Sequence, residues 1–266
     1  MTNKINTVTV NVENFNIHIR VDRQKHDMDV VREVISSDGY RLSKLAKIIP
    51  TPKVIFDIGG HIGTFGLLVK RYWPDSQLIA LEPNNLSFEL YKINMQVNKC
   101  RNYHLVNKAI GYNPDATCLI ETSDATGSGF LRTKTQAEEI VHNGVKGVLV
   151  ERMLYRPQDL TIGRSNVNTI TVEELLKRFT IERVGLAKWD CEGGEINAFN
   201  MMSHEAASCF EYMIGEYHIP NKNGELLSGN SHDYEEFCNL VRKKFSLAEL
   251  ITSKTCLLYT SPSPRD

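Results

Sequence analysis

The sequence predicts an α/β fold in which a mostly parallel sheet carries helices on both faces. Three observations support this prediction: short apolar runs alternate with amphipathic stretches from residue 53 onward, a glycine-rich loop follows the first run, and an acidic residue follows the second. Regular alternation of strand and helix patterns is typical of a parallel sheet, because each crossover returns a helix over the sheet. The 266 residues, 41% of them hydrophobic, suit one globular domain with additions.

The first fifty residues are predicted to form a small addition to that sheet. Residues 7–20 alternate apolar and polar side chains on either side of a central polar pair, which predicts a β-hairpin. Residues 28–36 carry apolar side chains at helical spacing, and Asp27 is well placed to cap that helix. We therefore expect residues 1–50 to be a hairpin and helix appendage that acts as a lid or an edge of a main domain over residues 51–255.

The main domain follows a regular order of strands and helices with one interruption. Residues 112–168 hold Gly, Asn and Thr clusters and a short helical pattern at 136–141. This segment is too long for a plain connection, so it predicts an insertion or a substrate loop. The predicted strands are 54–56, 77–81, 103–106, 184–189, 212–217 and 246–251, and the predicted helices are 63–72, 86–97, 171–179 and 233–245.

The last eleven residues, 256–266, resemble the in-frame translation of a sequencing-library adapter from a metagenomic read. We expect them to be foreign to the protein, and a natural Ser/Pro-rich tail is the alternative. The family resemblance given below implies the strand order 3-2-1-4-5-7-6, with an antiparallel hairpin at the end of the sheet. Because the adapter-like segment starts where the second arm of that hairpin belongs, the seventh strand is predicted to be missing. An exposed sheet edge and some tendency to aggregate should follow.

Composition excludes several classes of function. The net charge of −1 gives no basic surface for nucleic acid. The apolar runs are too short to span a bilayer, and the N-terminus lacks the apolar region of a signal peptide. The six cysteines have no metal-like spacing and are expected to be reduced thiols. These features predict a cytoplasmic protein without a membrane or nucleic-acid partner, and they leave its oligomeric state open.

The most specific motif is the loop Asp57-Ile58-Gly59-Gly60-His61-Ile62-Gly63, which follows a strand and opens a helix. Glycine permits the sharp turn and the close approach of a ligand to the backbone, and the helix N-terminus offers free N–H groups. The spacing Asp-x-Gly-x-x-x-Gly is met, whereas the dinucleotide spacing Gly-x-Gly-x-x-Gly is not. S-adenosylmethionine (SAM), whose methionyl carboxylate suits such a terminus, is therefore favoured over NAD. A tight turn without a ligand is the alternative.

Two further strand ends extend the predicted cofactor site. Glu82 ends the second strand before Pro83-Asn84, where an acid can accept hydrogen bonds from both ribose hydroxyls, although alone it would more often be a cap or a solvated charge. The loop from Asn107 through Ala109 follows the third strand and is expected to flank the adenine, with an ordinary turn as the alternative. The candidate cofactor contacts are Asp57, Gly59, Gly60, His61, Gly63, Glu82, Pro83, Asn84, Asn107, Ala109 and Asp190.

These motifs resemble the FkbM family of methyltransferases. The matching stretches are Val54–Gly63, Ala80–Asn84, Asn107–Gly111, Thr171–Leu175 and Leu186–Glu195, and they occur in the family's order. The family pattern Lys-x-Asp-x-Glu-Gly-x-Glu is complete at Lys188, Asp190, Glu192, Gly193 and Glu195. The long insertion at 112–168 departs from the family and leaves the acceptor open.

The resemblance implies a Rossmann-like class I methyltransferase fold and SAM-dependent methylation. The acceptor it implies is usually a hydroxyl of a sugar or of another small metabolite. A SAM-binding or nucleotide-binding accessory module without catalysis is a second hypothesis. A NAD-dependent oxidoreductase is a third, which the glycine spacing disfavours.

Three interpretations of the acidic groups at the later strand ends stay open. Asp190 or His218 could be a general base while Lys188 offsets charge. Asp190, Glu216 and His218 could instead hold a divalent cation. Glu192 and Glu195 could stabilise a helix N-terminus, which we favour for Glu195. The candidate catalytic residues are Lys188, Asp190, Glu216 and His218, and no metal is predicted.

Overall fold

A sheet of seven strands runs through the centre of the protein, seen in a computed structural model. The structure describes residues 5–111, 117–122, 130–133, 162–191, 194–216, 219–220, 226–227, 231–245, 249–252 and 257–260. In chain order the first elements are β1 (Thr7–Val12), β2 (Phe15–Arg20), α1 (Gln24–Val31), α2 (Leu42–Ile48), β3 (Val54–Ile58), α3 (Thr64–Tyr72), β4 (Gln77–Leu81), α4 (Asn85–Val97) and β5 (Tyr103–Val106). The later elements are β6 (Ala109–Ile110), β7 (Thr117–Thr122), β8 (Phe130–Thr133), β9 (Ile162–Val167), β10 (Thr169–Ile170), α5 (Val172–Phe179), β11 (Leu186–Trp189), α6 (Gly194–Met201), α7 (His204–Ser208), β12 (Tyr212–Gly215), β13 (Ile219–Pro220), β14 (Leu226–Leu227), α8 (Ser231–Phe245), β15 (Glu249–Thr252) and β16 (Leu257–Thr260).

The order of strands in the sheet is β15-β16-β12-β11-β3-β4-β5. The five strands from β12 to β5 are parallel, and β16 is antiparallel to both of its neighbours. When the sheet strands are numbered along the chain, this order is the predicted 3-2-1-4-5-7-6. The carboxyl ends of β3, β4 and β11 therefore meet at one edge, where a parallel sheet of this kind binds its ligands.

The prediction that the seventh strand is missing is wrong. Leu257–Thr260, inside the adapter-like segment, lies between β12 and β15 and pairs with both. The reason is physical: a ladder is made by backbone groups, and the sequence Leu-Leu-Tyr-Thr is apolar, aromatic and β-branched, which suits a strand. The segment thus occupies the position that was expected to be an exposed edge.

The predicted N-terminal hairpin is present, with β1 antiparallel to β2. The helical stretch differs from its prediction, since α1 begins at Gln24 and continues into a π-helical turn, Arg32–Ser36. Asp27 does not cap this helix, because its buried carboxylate binds the Arg20 guanidinium at 2.5 and 3.0 Å. A buried carboxylate with an arginine partner gains more from that pair than an exposed cap would give.

Two hydrophobic clusters cover the two faces of the sheet. Alternation along β3 divides them, because Ile55 packs into one cluster and Phe56 into the other. The Phe56 cluster includes side chains of α5, α6 and α8, whereas the Ile55 cluster includes α3, α4 and the N-terminal Ile17 and Ile19. The N-terminal segment is therefore a packed layer on one face of the sheet.

The predicted insertion contains a small sheet of its own. Strands β8, β7 and β9 form this antiparallel sheet, and β6 pairs with β10 beside it. The predicted helical turn at 136–141 lies outside the described residues. In the described part of the chain, every helix is too short or too polar to cross a bilayer.

Candidate active site

The glycine loop turns sharply at the carboxyl end of β3 and lies against the end of β11. Gly59 has a φ of +82°, and a Cβ atom at this position would lie 1.8 Å from the carbonyl oxygen of Asp190. Gly63, at the N-terminus of α3, has a φ of +91°. Both positions require glycine, the first because the two strand ends approach each other through their backbones. The loop therefore joins the ends of β3 and β11 into one crevice.

Tyr91 of α4 lies directly under the loop. A Cβ atom at Gly60 or Gly63 would lie 2.4 Å from the Tyr91 ring, and one at Gly66 would lie 2.1 Å from its hydroxyl. The loop glycines were expected to permit a sharp turn and the close approach of a ligand. At Gly60 and Gly63 the Tyr91 ring also occupies the space that a side chain would need, and the same holds for Gly66 in α3. The Tyr91 hydroxyl then donates a hydrogen bond of 2.8 Å to Asp57 Oδ2.

A series of polar contacts, here called the Lys188 network, runs from Tyr91 through Asp57, Lys188 and Asp190 to Tyr40. Lys188 Nζ lies 3.4 Å from Asp57 Oδ1 and 3.3 Å from Asp190 Oδ2, and it donates to the carbonyl of Gly59 at 2.5 Å. The Tyr40 hydroxyl donates to Asp190 Oδ2 at 2.6 Å. The Lys188 network connects the underside of the glycine loop to the open side of the crevice.

Electrostatics fix the charge of this lysine. Burial alone would lower the pKa of Lys188, but the carboxylates of Asp190 and Asp57 outweigh it and hold that pKa above its ordinary value. Burial raises the pKa of Asp57, against the opposing effect of Lys188. Lys188 is therefore held in its charged form between the two aspartates, and its role in catalysis stays a prediction.

Glu82 stands one residue beyond β4 and is almost completely buried. Its Oε2 accepts the N–H of His61 and its Oε1 accepts the N–H of Asn84, both at 2.7 Å. A carboxylate has about four acceptor positions, so each oxygen can take one further donor. Burial raises the pKa of Glu82 to about 7, although the two backbone hydrogen bonds oppose the rise. This carboxylate is thus pre-aligned by the loop that it faces.

The neighbours of Glu82 support its turn. Asn107 Nδ2 donates to the carbonyls of Glu82 and Pro83 at 2.9 and 3.3 Å. The side chain of Asn84 caps α4 by accepting the N–H of Ser87 at 2.9 Å. Ala109 is buried in β6, where it pairs with β10. Asn107 and Asn84 therefore shape the site through the backbone, and an adenine contact at Asn107 or Ala109 stays a prediction.

The side chain of His61 faces away from Glu82 and toward the N-terminal segment. Its Nε2 lies 2.8 Å from Arg20 Nη2 and 3.6 Å from Asp27 Oδ1. Burial lowers the pKa of His61 to about 3, so the ring is neutral. Its backbone N–H, donated to Glu82, is on the predicted cofactor side, and a cofactor contact of His61 stays a prediction.

His26, Asp27 and His61 bring potential metal ligands within 4.8 Å of one another. The Arg20 guanidinium already contacts both Asp27 and His61. Because this arginine supplies the positive charge that the carboxylate needs, we interpret the cluster as a buried ion-pair network.

The remaining predicted residues lie at the ends of β11 and β12. Glu216 follows β12, and its backbone N–H donates to Trp189 at 3.0 Å. Glu195, the second residue of α6, accepts the N–H of Cys191 at 2.7 Å, which agrees with a role at the helix N-terminus. His218, Glu192 and Gly193 lie outside the described residues.

Sequence reasoning missed Tyr40, Tyr91 and Arg20. Tyr91 lies on the buried face of a helix that was predicted, but nothing in its spacing distinguishes a core tyrosine from one that orders a loop. Tyr40 contacts a residue 150 positions away, and no local pattern reports such a contact. Alternation placed Arg20 correctly at the end of a strand without indicating its buried partner.

Comparisons with known proteins give one family model and several similar proteins. The family model described as the methyltransferase FkbM domain matches residues 57–242. "Methyltransferase 1" of Beauveria bassiana (strain ARSEF 2860) is 25% identical over 175 residues, which are 63% of this chain and 65% of the relative, so the chain spans just under two thirds of its length. Among solved structures, EvdMO1 has a TM-score of 0.44 at 14% identity and covers 85% of this chain and 40% of its own. M. jannaschii TYW2 in complex with AdoMet has a TM-score of 0.44 at 9% identity, covering 98% of this chain and 87% of its own.

Proposed function

The chain belongs to the FkbM family of methyltransferases, and we propose that it uses SAM to methylate a hydroxyl of a carbohydrate or another small metabolite. Its fold is the Rossmann-like class I methyltransferase fold, with the five parallel strands and the antiparallel end described above. The observation that carries the choice of cofactor is the buried Glu82 carboxylate, which two backbone N–H groups hold beside the glycine loop.

The residues present fit SAM in three respects. Glu82 has acceptor capacity for two ribose hydroxyls, one on each oxygen. The first turn of α3, which begins at Thr64 after Gly63, offers backbone N–H groups to the methionyl carboxylate. Asp190, at the end of β11, places a carboxylate in the same crevice. When bound, SAM supplies a methyl group activated by a positively charged sulfur.

Asp190 is the group that we assign to the acceptor. Lys188 is a fixed cation and Asp57 is sealed from solvent, whereas the Asp190 side chain remains 24% exposed. We assign to its carboxylate the hydrogen bond of the acceptor hydroxyl and the proton of that hydroxyl, which would be released as the methyl group leaves the sulfur for the acceptor oxygen and S-adenosylhomocysteine remains. Alignment of the two reactants can contribute several kcal/mol to the acceleration of such a displacement.

The first test is calorimetric titration of SAM and S-adenosylhomocysteine into the wild-type chain and into Glu82→Gln. Loss of hydrogen bonds to a buried charged acceptor should weaken both ligands by roughly a hundredfold. Glu89→Gln is the matched control, because Glu89 is an exposed residue of the same α4 region and contacts only Lys92 among the ion pairs described. A folded wild-type chain that binds neither ligand would contradict the proposal. Binding without methyl transfer to any sugar or metabolite hydroxyl would favour the accessory module.

The pH dependence of binding gives a second signature. Glu82 has a pKa of about 7 in the free protein, and ribose hydroxyls bind best to its ionised form. Affinity for S-adenosylhomocysteine should therefore fall as the pH drops below about 7. In Glu82→Gln this component should disappear, since the amide does not titrate. Identical pH profiles for the two proteins would remove Glu82 from the ribose site.

A further inference from the structure

We propose that Tyr40 of the N-terminal segment is a positioning residue for Asp190: its hydroxyl, together with Lys188, keeps the Asp190 carboxylate ionised and oriented for the acceptor and the sulfonium. The inference deepens the function proposed above and rests on it for the identity of the ligand. The contact itself does not depend on that function, because the Tyr40 hydroxyl donates to Asp190 Oδ2 at 2.6 Å within the free chain.

The turn that carries Tyr40 is strained and specifically held. Asp38 and Arg41, on either side of Gly39-Tyr40, have φ values of 47° and 54°, a region that side chains disfavour. The Asp38 carboxylate accepts the N–H groups of Leu42 and Ser43 at 2.7 and 2.9 Å, which secures the turn against the start of α2. Strained residues persist only where the surroundings over-determine them, and they cluster at functional sites.

The ring of Tyr40 is locked in place while the group it contacts stays accessible. It packs edge-to-face against Phe65 of α3, with ring centroids 5.4 Å apart, and Lys188 Nζ lies 5.7 Å from the ring centroid. Tyr40 is 6% exposed, but the Asp190 side chain is 24% exposed. The tyrosine therefore covers one side of the carboxylate and leaves the carboxylate within reach of a ligand.

Charged groups from four elements surround the pair, and most of them are acidic. Glu33 faces it from the N-terminal segment, Asp57 from β3, Lys188 from β11 and Glu216 from the end of β12. Burial and the carboxylates of Asp190, Glu216 and Asp57 raise the pKa of Tyr40 well above its ordinary value. The hydroxyl thus remains protonated and remains a donor. Without it, Asp190 would lose a short hydrogen bond from a neutral donor while its acidic neighbours remain.

Tyr40→Phe tests the proposal, because it removes the hydroxyl and leaves the ring. The readout is the titration midpoint of the Asp190 carboxyl carbon, followed by carbon-13 NMR on the full chain and assigned with Asp190→Asn. Loss of a short hydrogen bond to the carboxylate should move this midpoint upward by about 1 pH unit. Tyr212→Phe is the matched control, since Tyr212 is the first residue of β12 and lies at the opposite end of that strand from Glu216, which faces the Tyr40–Asp190 pair. An unchanged midpoint in folded Tyr40→Phe would overturn the proposal.

Ligand binding provides the second readout. An ionised carboxylate near the sulfonium favours SAM over the uncharged thioether of S-adenosylhomocysteine, so the ratio of the two dissociation constants reports on Asp190. Tyr40→Phe should reduce that preference several-fold and move its pH dependence in the same direction as the NMR midpoint. A wild-type chain that binds neither ligand would refute the proposed function alone, and the NMR result would still decide the role of Tyr40.

Discussion

Asp57 and Asp190 are two aspartates on neighbouring strands that share one lysine. Lys188 lies 3.4 Å from the first and 3.3 Å from the second, and each accepts a hydrogen bond from a tyrosine, at 2.8 and 2.6 Å. They differ in access to solvent, because the Asp57 side chain is 0% exposed and the Asp190 side chain is 24% exposed. Although the two aspartates have similar partners, Asp57 holds the glycine loop and Asp190 is accessible to a ligand. An aspartate at a motif position can therefore serve the loop without contacting the cofactor.

The largest expected effect separates these two roles by stability. Asp57→Ala leaves Lys188 and the Tyr91 hydroxyl short of a buried acceptor, so the free energy of unfolding should fall by about 4 kcal/mol. Asp190→Ala should cost only about 1 kcal/mol, since water can replace the carboxylate at an accessible position. Urea denaturation of both variants and the wild type measures the difference. Equal losses of unfolding free energy in the two variants would show that the two aspartates do not differ in their structural role.

Glu82 extends the comparison to a buried carboxylate without a lysine partner. Its pKa is about 7 in the folded protein and near the ordinary 4.5 when unfolded, so the unfolded chain loses the proton at lower pH. Relative to Glu82→Gln, the wild type should therefore lose on the order of 3 kcal/mol of stability as the pH rises from 4.5 to 7, and little more above that. Urea denaturation of the ligand-free proteins at several pH values tests this. A constant difference between them would show that Glu82 is solvated.

Each tyrosine should give a smaller effect than the aspartate it contacts, in the same order as those aspartates. Tyr91→Phe removes the donor to a sealed carboxylate oxygen and should cost about 2 kcal/mol. Tyr40→Phe should cost less than about 1 kcal/mol, because solvent reaches Asp190. Thermal or urea unfolding distinguishes them, with Tyr212→Phe as the reference for losing a phenolic hydroxyl. A larger loss for Tyr40→Phe would reverse the assignment of roles.

Local patterns predicted the frame of the site well. The strands that end at Asp57 and Glu82 and the helix over 171–179 follow from periodicity and turn residues, and the strand order of the sheet follows from the family resemblance. These features depend on residues close together in sequence, or on the regular topology of the fold. They placed Glu82 and Asp190 at the correct edge.

The unpredicted part of the site depends on contacts between distant residues. Asp27 has the local signature of a cap, and only the folded chain shows that the arginine at position 20 takes its carboxylate. The glycines 60 and 63 have the spacing expected for a ligand loop, yet Tyr91 fills the space beside them. His61 belongs to the loop in sequence, but its ring faces the N-terminal layer. The spacing of glycines indicates that a side chain is not tolerated at those positions, but it does not show which group fills the space.

The packing of Tyr91 against the loop has a consequence for how such sequences can change over time. A methyl group at Gly66 would lie 2.1 Å from the Tyr91 hydroxyl, so the residue tolerated at position 66 depends on the residue at position 91. A lineage can acquire alanine at position 66 only after a smaller side chain has replaced the tyrosine, and the reverse order passes through a defective intermediate. Among aligned relatives, the pair 66 and 91 should therefore show epistasis, with tyrosine found only beside glycine.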